Sequence, residues 1–220
     1  MSSPLDSLIE EVDEDLRRDR AVALFRRYGA YLIALALGII IAVAAVIVWR
    51  QYKSEREMTR STTYAAALDA INRGNSEEAS QLLGQVTAAG GASSGYGVLA
   101  RLQDGALKAK GGDAAGATAI YDGIAADSGV DPLFRDLARI LSALTSFDTA
   151  DPAQLAGRLQ PLAEGNGPWR FSAKEISAHL ALKAGDTARA KTLFAQIADD
   201  PRAPEEARSR AAAMASTLGS

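Results

Sequence analysis

The chain has 220 residues, of which 48% are hydrophobic and 23% are charged, which fits one folded domain with an added segment better than two full domains. The 24 Lys and Arg and the 27 Asp and Glu give a formal net charge of -3, which does not indicate a nucleic-acid-binding surface. Because the sequence contains no cysteine, disulfide bonds, thiolate nucleophiles and cysteine-ligated metal sites are excluded.

Residues 1–27 are predicted to form an amphipathic tail. Its acidic residues precede its arginines, so that Glu14 stands four residues ahead of Arg18, a favourable order on a helix. We interpret the carboxylates as a solvated helix face, since no glycine turn of a calcium loop accompanies them. The alternative is a docking segment for a cytoplasmic partner. Apolar residues recur at intervals of three and four: Leu5, Leu8, Ile9, Val12 and Leu16.

Residues 28–49 are predicted to form a transmembrane helix. No charged residue lies between Arg27 and Arg50. At a rise of about 1.5 Å per residue the segment covers roughly 33 Å, enough for a hydrocarbon core of about 30 Å. The apolar region of a signal peptide usually has only about 7 to 15 residues, so we expect a retained anchor in a lipid bilayer. The alternative, a core helix of a soluble protein, requires neighbours on every side.

The charges beside this span nearly balance, but paired arginines abut its start and the tail is short. We therefore expect the N-terminus to lie in the cytoplasm and residues 50–220 to be translocated across the membrane. Within the span, small residues recur every four positions on one face. This pattern predicts close packing against a second helix. The alternative is that it reflects only the usual abundance of alanine and glycine in membrane helices. These residues are Ala30, Ala34, Gly38 and Ala42.

Residues 50–220 contain a repeated pattern. A glycine followed by a polar residue ends one predicted helix and caps the next, at Gly74-Asn75, Gly112-Asp113 and Gly185-Asp186. Apolar residues follow in phase, and a degenerate unit at Ala150-Asp151 lacks the glycine. The intervals of 38, 38 and 35 residues between the polar positions are close to the tetratricopeptide period. The in-phase residues are Ala79, Leu82, Leu83 and Val86; Ala117, Ile120, Tyr121 and Ile124; Leu155, Leu159 and Leu162; and Ala190, Leu193, Phe194 and Ile197.

We therefore predict an all-α fold, an α-solenoid of four degenerate helical hairpins that must stack because one hairpin cannot cover its own apolar stripe. Segments 90–97 and 164–168 are predicted to be loops between units. The sequences Asp131-Pro132, Asp151-Pro152 and Pro201 are predicted to mark helix edges.

Candidate catalytic residues are few, and we predict neither enzymatic activity nor a bound cofactor or metal. The stretch 95–100 matches a GxGxxA dinucleotide fingerprint, but no strand precedes it, so we interpret it as a loop. His179 is the only histidine and is assigned to helix packing or the surface. Asp199 and Asp200 are assigned to a loop before Pro201 rather than to an acid–base pair.

The chain resembles the YfgM-like tetratricopeptide proteins, ancillary subunits of the SecYEG translocon. The resemblance covers nearly the whole chain and lies in EEVDEDLRRDR, FRRYG, the single membrane helix and GPWRFSAKEISAHLALKAGDTARAKTLFAQIADDPRAPEEAR. It implies a bacterial inner-membrane protein with its helical domain in the periplasm. It also implies association with SecYEG and with a membrane-anchored periplasmic chaperone, and a part in handling secreted chains.

The functional hypothesis is a membrane-anchored adaptor that binds a partner or an emerging secretory polypeptide through its helical repeats, with no role in binding nucleic acid. The rival is a cell-envelope assembly or division scaffold that self-associates through its membrane helix. Aromatic and charged residues on the first helices are the candidate partner contacts, although core packing is the alternative for each. They are Tyr64, Tyr96, Arg101 and Trp169.

Overall fold

The computed structural model describes Val43 and residues 58–219, and this part of the chain contains helices and no β-strand. The described helices from Thr59 onward belong to one compact unit. The described part of the first helix, α1, covers 58–72. The remaining helices are α2 Ser76–Gly90, α3 Gly95–Lys110, α4 Ala114–Ala126, α5 Pro132–Thr145, α6 Pro152–Glu164, α7 Arg170–Lys183, α8 Thr187–Ala198 and α9 Glu205–Thr217.

The glycine turns have the geometry that the sequence predicted. Gly112 has φ +87°, and its N–H donates to the carbonyl of Ala109 at 3.1 Å. The N–H of Asp113 donates to the carbonyl of Lys108 at 2.9 Å, which completes the Schellman pattern that ends a helix. Gly74 and Gly185 repeat this conformation, with φ +76° and +82°. The helix ends predicted at these three glycines are therefore confirmed.

The polar residue after each of these glycines caps the following helix. The Asp113 carboxylate accepts from the backbone N–H of Gly116 at 2.8 Å. Asn75 and Asp186 cap α2 and α8 in the same way. The Asp113 pKa lies below its usual range, first because of the Gly116 N–H and then because Lys108 donates to the carboxylate. Each turn thus ends one helix and begins the next within three residues.

The residues in phase with these turns form the core. Ala79, Ala117 and Ala190 have no exposed surface. The larger residues that follow are almost fully buried in each unit, including Leu159 of the degenerate unit. The first of each adjacent apolar pair is only half-buried, as for Leu82. The predicted stripe is therefore confirmed. Its most buried positions lie five, nine and twelve residues after each glycine, or after Ala150, which stands at the glycine position of the degenerate unit.

Successive helices pack against one another along the chain, and α5 also contacts both α3 and α7. Odd-numbered helices are therefore neighbours across units, as in a stacked array of hairpins. Hydrogen bonds connect residues one repeat apart: Lys183 Nζ donates to the carbonyl of Phe147, 36 positions earlier, at 2.5 Å. Arg210 of α9 likewise donates two bonds of 3.1 Å to Glu175 of α7. The predicted α-solenoid is confirmed.

The third hairpin differs from the others. Its helices α5 and α6 contact each other far less extensively than α4 and α5 or α6 and α7 do. Polar side chains from three helices meet there instead: Ser142 of α5 donates to Asp122 of α4 at 2.6 Å, and Arg158 of α6 pairs with the same carboxylate. Ser142 is fully buried. The unit that lost its glycine turn is thus connected by a polar cluster.

The first predicted loop, 90–97, is shorter than expected, whereas the second, 164–168, is confirmed by the connection 165–169. Helix α3 begins at Gly95, with the Ser94 hydroxyl accepting from the N–H of Gly97, so the connection is only 91–94. The prediction of a loop through Gly97 was wrong, because glycine content alone does not exclude a capped helix start. The edges at Asp131 and Asp151 are confirmed, since each caps a helix whose first residue is proline.

The predicted tail, 1–27, and the predicted membrane segment, 28–49, lie outside the described residues except for Val43. Among the helices that the structure describes, none combines the length and the apolar character needed to cross a membrane.

The turn geometry predicts that Gly112→Ala destabilises the protein by about 1 to 2 kcal/mol, the cost of placing a side chain in the left-handed region. Gly111 is the matched control, because its φ is -78° and a methyl group there meets only ordinary van der Waals contacts. We expect Gly111→Ala to be neutral or stabilising by up to about 1 kcal/mol. Urea unfolding followed by circular dichroism measures both, and equal effects of the two substitutions would contradict the assignment.

Candidate partner-binding surface

Tyr64 and Tyr96, two of the predicted partner contacts, pack together. Their ring centroids are 5.7 Å apart at an interplanar angle of 56°. Both are half-buried and lie against the apolar cluster that includes Ala67, Leu83 and Ala100. The pair therefore covers the junction of α1, α2 and α3, with part of each ring accessible to a partner.

Arg101 connects α3 to two loops. Its Nη1 donates to the Asp127 carboxylate at 3.2 Å and to the carbonyl of Ala92 at 3.3 Å. Asp127 also accepts from the Ser93 hydroxyl at 2.9 Å and from the N–H of Gly129 at 3.0 Å. Ser93, followed by the Gly129 N–H and Arg101, keeps the Asp127 pKa below its usual range. Only 18% of the Arg101 side chain is exposed, so its main contacts are within the fold.

Trp169 lies at the residue before α7 and reaches the start of α5. Its indole N–H donates to the carbonyl of Leu133 at 3.0 Å, across 36 positions of sequence. The ring packs against the apolar cluster formed by α5, α6 and α7. Trp169 thus joins the first helices of two successive units.

The four candidates do not form one site. Tyr64 and Tyr96 share one contact, whereas Arg101 and Trp169 each serve a different junction between units. The predicted packing stripe of the membrane helix, Ala30 to Ala42, lies outside the described residues.

His179 packs edge-on against Phe194, with ring centroids 5.2 Å apart, which confirms its assignment to helix packing. Asp200 follows the end of α8 and accepts bonds from Arg202, so the loop assignment is confirmed as well. In the described part of the chain, no three histidine or carboxylate side chains converge to hold a metal ion.

A cavity that the sequence analysis missed lies between α6, α7 and α8, with a volume of about 350 Å³. Each helix contributes residues at the spacing i, i+4 and i+7, which places them on one helical face, and Glu164, Asp200 and Arg202 complete the lining. No pattern within one helix could have located the cavity, because it depends on how the residues at this spacing on three helices face one another. The residues at this spacing are Ala156, Gln160 and Ala163; Arg170, Lys174 and Ser177; and Arg189, Leu193 and Gln196.

Comparison with known proteins identifies the repeat type. A family model described as a tetratricopeptide repeat-like domain matches residues 23–156, more than half of the chain. Two solved structures from Podosopora anserina, titled as nearly identical TPR-like repeats of a kinesin light chain type, are similar in fold. Each is 14% identical, covers 72% of this chain and 84% of its own, and superimposes with a TM-score of 0.56 or 0.55. No curated protein matches the sequence.

The bonds of Asp127 predict that Asp127→Asn lowers stability in a pH-dependent way. Because the pKa is depressed in the folded state, the stabilisation is complete above the unfolded pKa of about 3.9 and is lost as the pH falls through the lower folded pKa. The stability gap to the parent protein should therefore be constant near neutral pH and shrink in acid. Asp69→Asn, at an exposed α1 position, is the control and should show no such gap. Urea midpoints measured across this pH range would contradict the prediction if the gap widened in acid.

The position of Trp169 predicts that Trp169→Phe destabilises the protein by about 0.5 to 1.5 kcal/mol, because the Leu133 carbonyl loses its donor while the ring is largely retained. Circular dichroism in urea measures this. Unchanged stability together with lost partner binding would instead identify Trp169 as a contact residue.

Proposed function

The chain belongs to the tetratricopeptide repeat-like domain family, and we propose that it is a non-enzymatic, membrane-anchored adaptor at a protein translocon. The observation that carries the proposal is a stacked array of helical hairpins that follows a 22-residue segment, 28–49, free of charge. Repeats of this kind present extended surfaces that suit protein partners.

The anchor makes weak contacts sufficient. A domain held beside its partner in the membrane meets it at a high effective concentration, so the second contact becomes in effect intramolecular. The polar and aromatic residues of the repeat surface then need to supply only modest affinity.

The partners in this proposal come from the resemblance to the YfgM-like proteins. They are SecYEG, a membrane-anchored periplasmic chaperone and emerging secretory chains. The protein is placed in the bacterial inner membrane with residues 1–27 in the cytoplasm and 50–220 in the periplasm. The paired arginines before the span support this orientation.

The proposal predicts that the full chain, extracted in mild detergent with a C-terminal tag, copurifies with the translocon or the chaperone. Recovery of neither would overturn it. Gly38→Leu separates the adaptor from the self-associating scaffold, because a large side chain on the small-residue face blocks close helix packing. Ala36→Leu, off that face, is the matched control. An adaptor keeps its translocon partner in both variants, whereas a scaffold loses its self-association in Gly38→Leu only.

A further inference from the structure

An arginine near the start of the first helix of a hairpin reaches the end of the second helix. In the first hairpin, Arg60 of α1 donates to the carbonyl of Ala89, near the end of α2, at 2.9 Å. In the fourth hairpin, Arg170 of α7 pairs with Asp200, just after α8, at 2.6 Å. Each arginine lies 14 or 15 positions before the glycine turn of its hairpin, and each acceptor lies 15 positions after it. The bond therefore closes the end of the hairpin that is opposite the turn.

The third hairpin contains residues for this closure but does not make it, whereas the second closes the same end through Arg101 and Asp127. Arg135 lies 15 positions before Ala150, and Glu164 lies 14 positions after it. Within the described residues, Arg135 forms no ion pair, and its Nε is buried without a hydrogen-bond partner. A buried donor without an acceptor is costly, so an arrangement that supplies one is favoured.

The matching carboxylate at the end of α6 has no cation partner either. In the part of the chain that the structure describes, Glu164 accepts a hydrogen bond from Gln160 at 2.8 Å and forms no ion pair. Glu164 ends the turn of α6 that Pro161 begins. A proline inside a helix removes one backbone donor and weakens the helix at that point. The last turn of α6 is therefore easier to move than the turns before it.

A carboxylate from α4 separates α5 and α6. Of the successive helix pairs from α2 to α9, α5 and α6 have the least extensive contact. The Asp122 carboxylate lies between them, accepting from Ser142 of α5 at 2.6 Å and pairing with Arg158 of α6. The Arg158 and Asp122 side chains are 49% and 41% exposed, so solvent and salt screen their attraction. The spacing between the two helices thus depends on a weak ion pair.

Helix α7 is attached to α5 near both ends of α5. Trp169 donates to the carbonyl of Leu133 at 3.0 Å, and Lys183 donates to the carbonyl of Phe147 at 2.5 Å. Helix α6 packs extensively on α7. These two bonds therefore define an axis along α5 and α7, about which α6 and α7 can rotate together and bring α6 closer to α5.

We propose that the third hairpin is a joint with a second, closed arrangement, in which the end of α6 approaches the start of α5 and Arg135 pairs with Glu164. The Asp122–Arg158 pair holds the open arrangement described above. Closure turns α6 to α9 relative to α1 to α5, so the curvature of the array changes with the state of this one hairpin. The inference depends on the helical array alone and goes beyond the proposed adaptor function.

A distance measured across the joint tests this proposal. Because the chain contains no cysteine, spin labels can be placed at Lys110→Cys on α3 and Ala188→Cys on α8, both exposed positions. Double electron–electron resonance on the full chain in neutral detergent should show two distance populations. Arg135→Gln and Glu164→Gln should each remove the second population. Arg158→Gln should increase it roughly two- to five-fold, the range that a partly exposed ion pair supports.

Arg73→Gln is the matched control, because it removes a partly exposed ion pair with Glu78 that lies within the first hairpin. This variant should leave both populations unchanged. Labels at Lys110→Cys and Gln81→Cys, on α3 and α2, lie on the same side of the joint and should give one distance in every variant.

Two outcomes overturn the proposal. The first is a single distance across the joint in both the parent chain and Arg158→Gln. The second is a change in the same direction in Arg135→Gln and Arg158→Gln, which would mean that either substitution merely loosens the fold. Circular dichroism checks the helix content of each variant. If Arg158→Gln does not fold, Asp122→Asn replaces it, because it removes the charge but keeps an acceptor for Ser142.

Discussion

The left-handed glycine that ends the first helix of a hairpin is the constraint on which this array depends. At Gly74, Gly112 and Gly185 the chain reverses within three residues because only glycine enters that region without a steric cost. The next residue caps the following helix, so the register of the second helix is fixed relative to the first. That register places Ala79, Ala117 and Ala190 at the helix crossing, where their small side chains permit close approach. Each second helix then presents its large apolar residues to the next unit, and stacking follows because the hairpin alone cannot bury them.

The third unit shows what happens where this constraint is absent. Without a glycine, the chain from Ser146 to Asp151 takes a longer path, and α5 and α6 separate along most of their length. Polar contacts replace extensive packing between these two helices. The Asp122 carboxylate joins three helices by accepting from Ser142 and pairing with Arg158. The opening still leaves α6 packed closely on α7, so the stack continues past the irregularity.

Most of the fold could be predicted from the sequence because its determinants are local. A glycine followed by Asn or Asp, and apolar residues at fixed distances after it, specify helix ends, caps and the buried face. The start of α3 was missed because the Ser94 cap outweighs the two glycines, Gly95 and Gly97, in its first turn. The cluster around Asp122 and the cavity around Lys174 were also missed. They depend on which side chains face each other across helices that are 16 to 36 positions apart, and no short-range pattern encodes that relation.

The four residues predicted as partner contacts have interaction partners inside the protein, because burial and hydrogen bonding at the junctions between units stabilise the fold. An aromatic ring or a guanidinium at a junction between units stabilises the fold more by covering that junction than by remaining in solvent. Trp169 and Arg101 are examples. Residues free to recognise another protein must instead lie where stacking leaves a gap. Lys174 and Arg189, which form no ion pair within the described part of the chain, lie beside such a gap, the cavity between α6, α7 and α8.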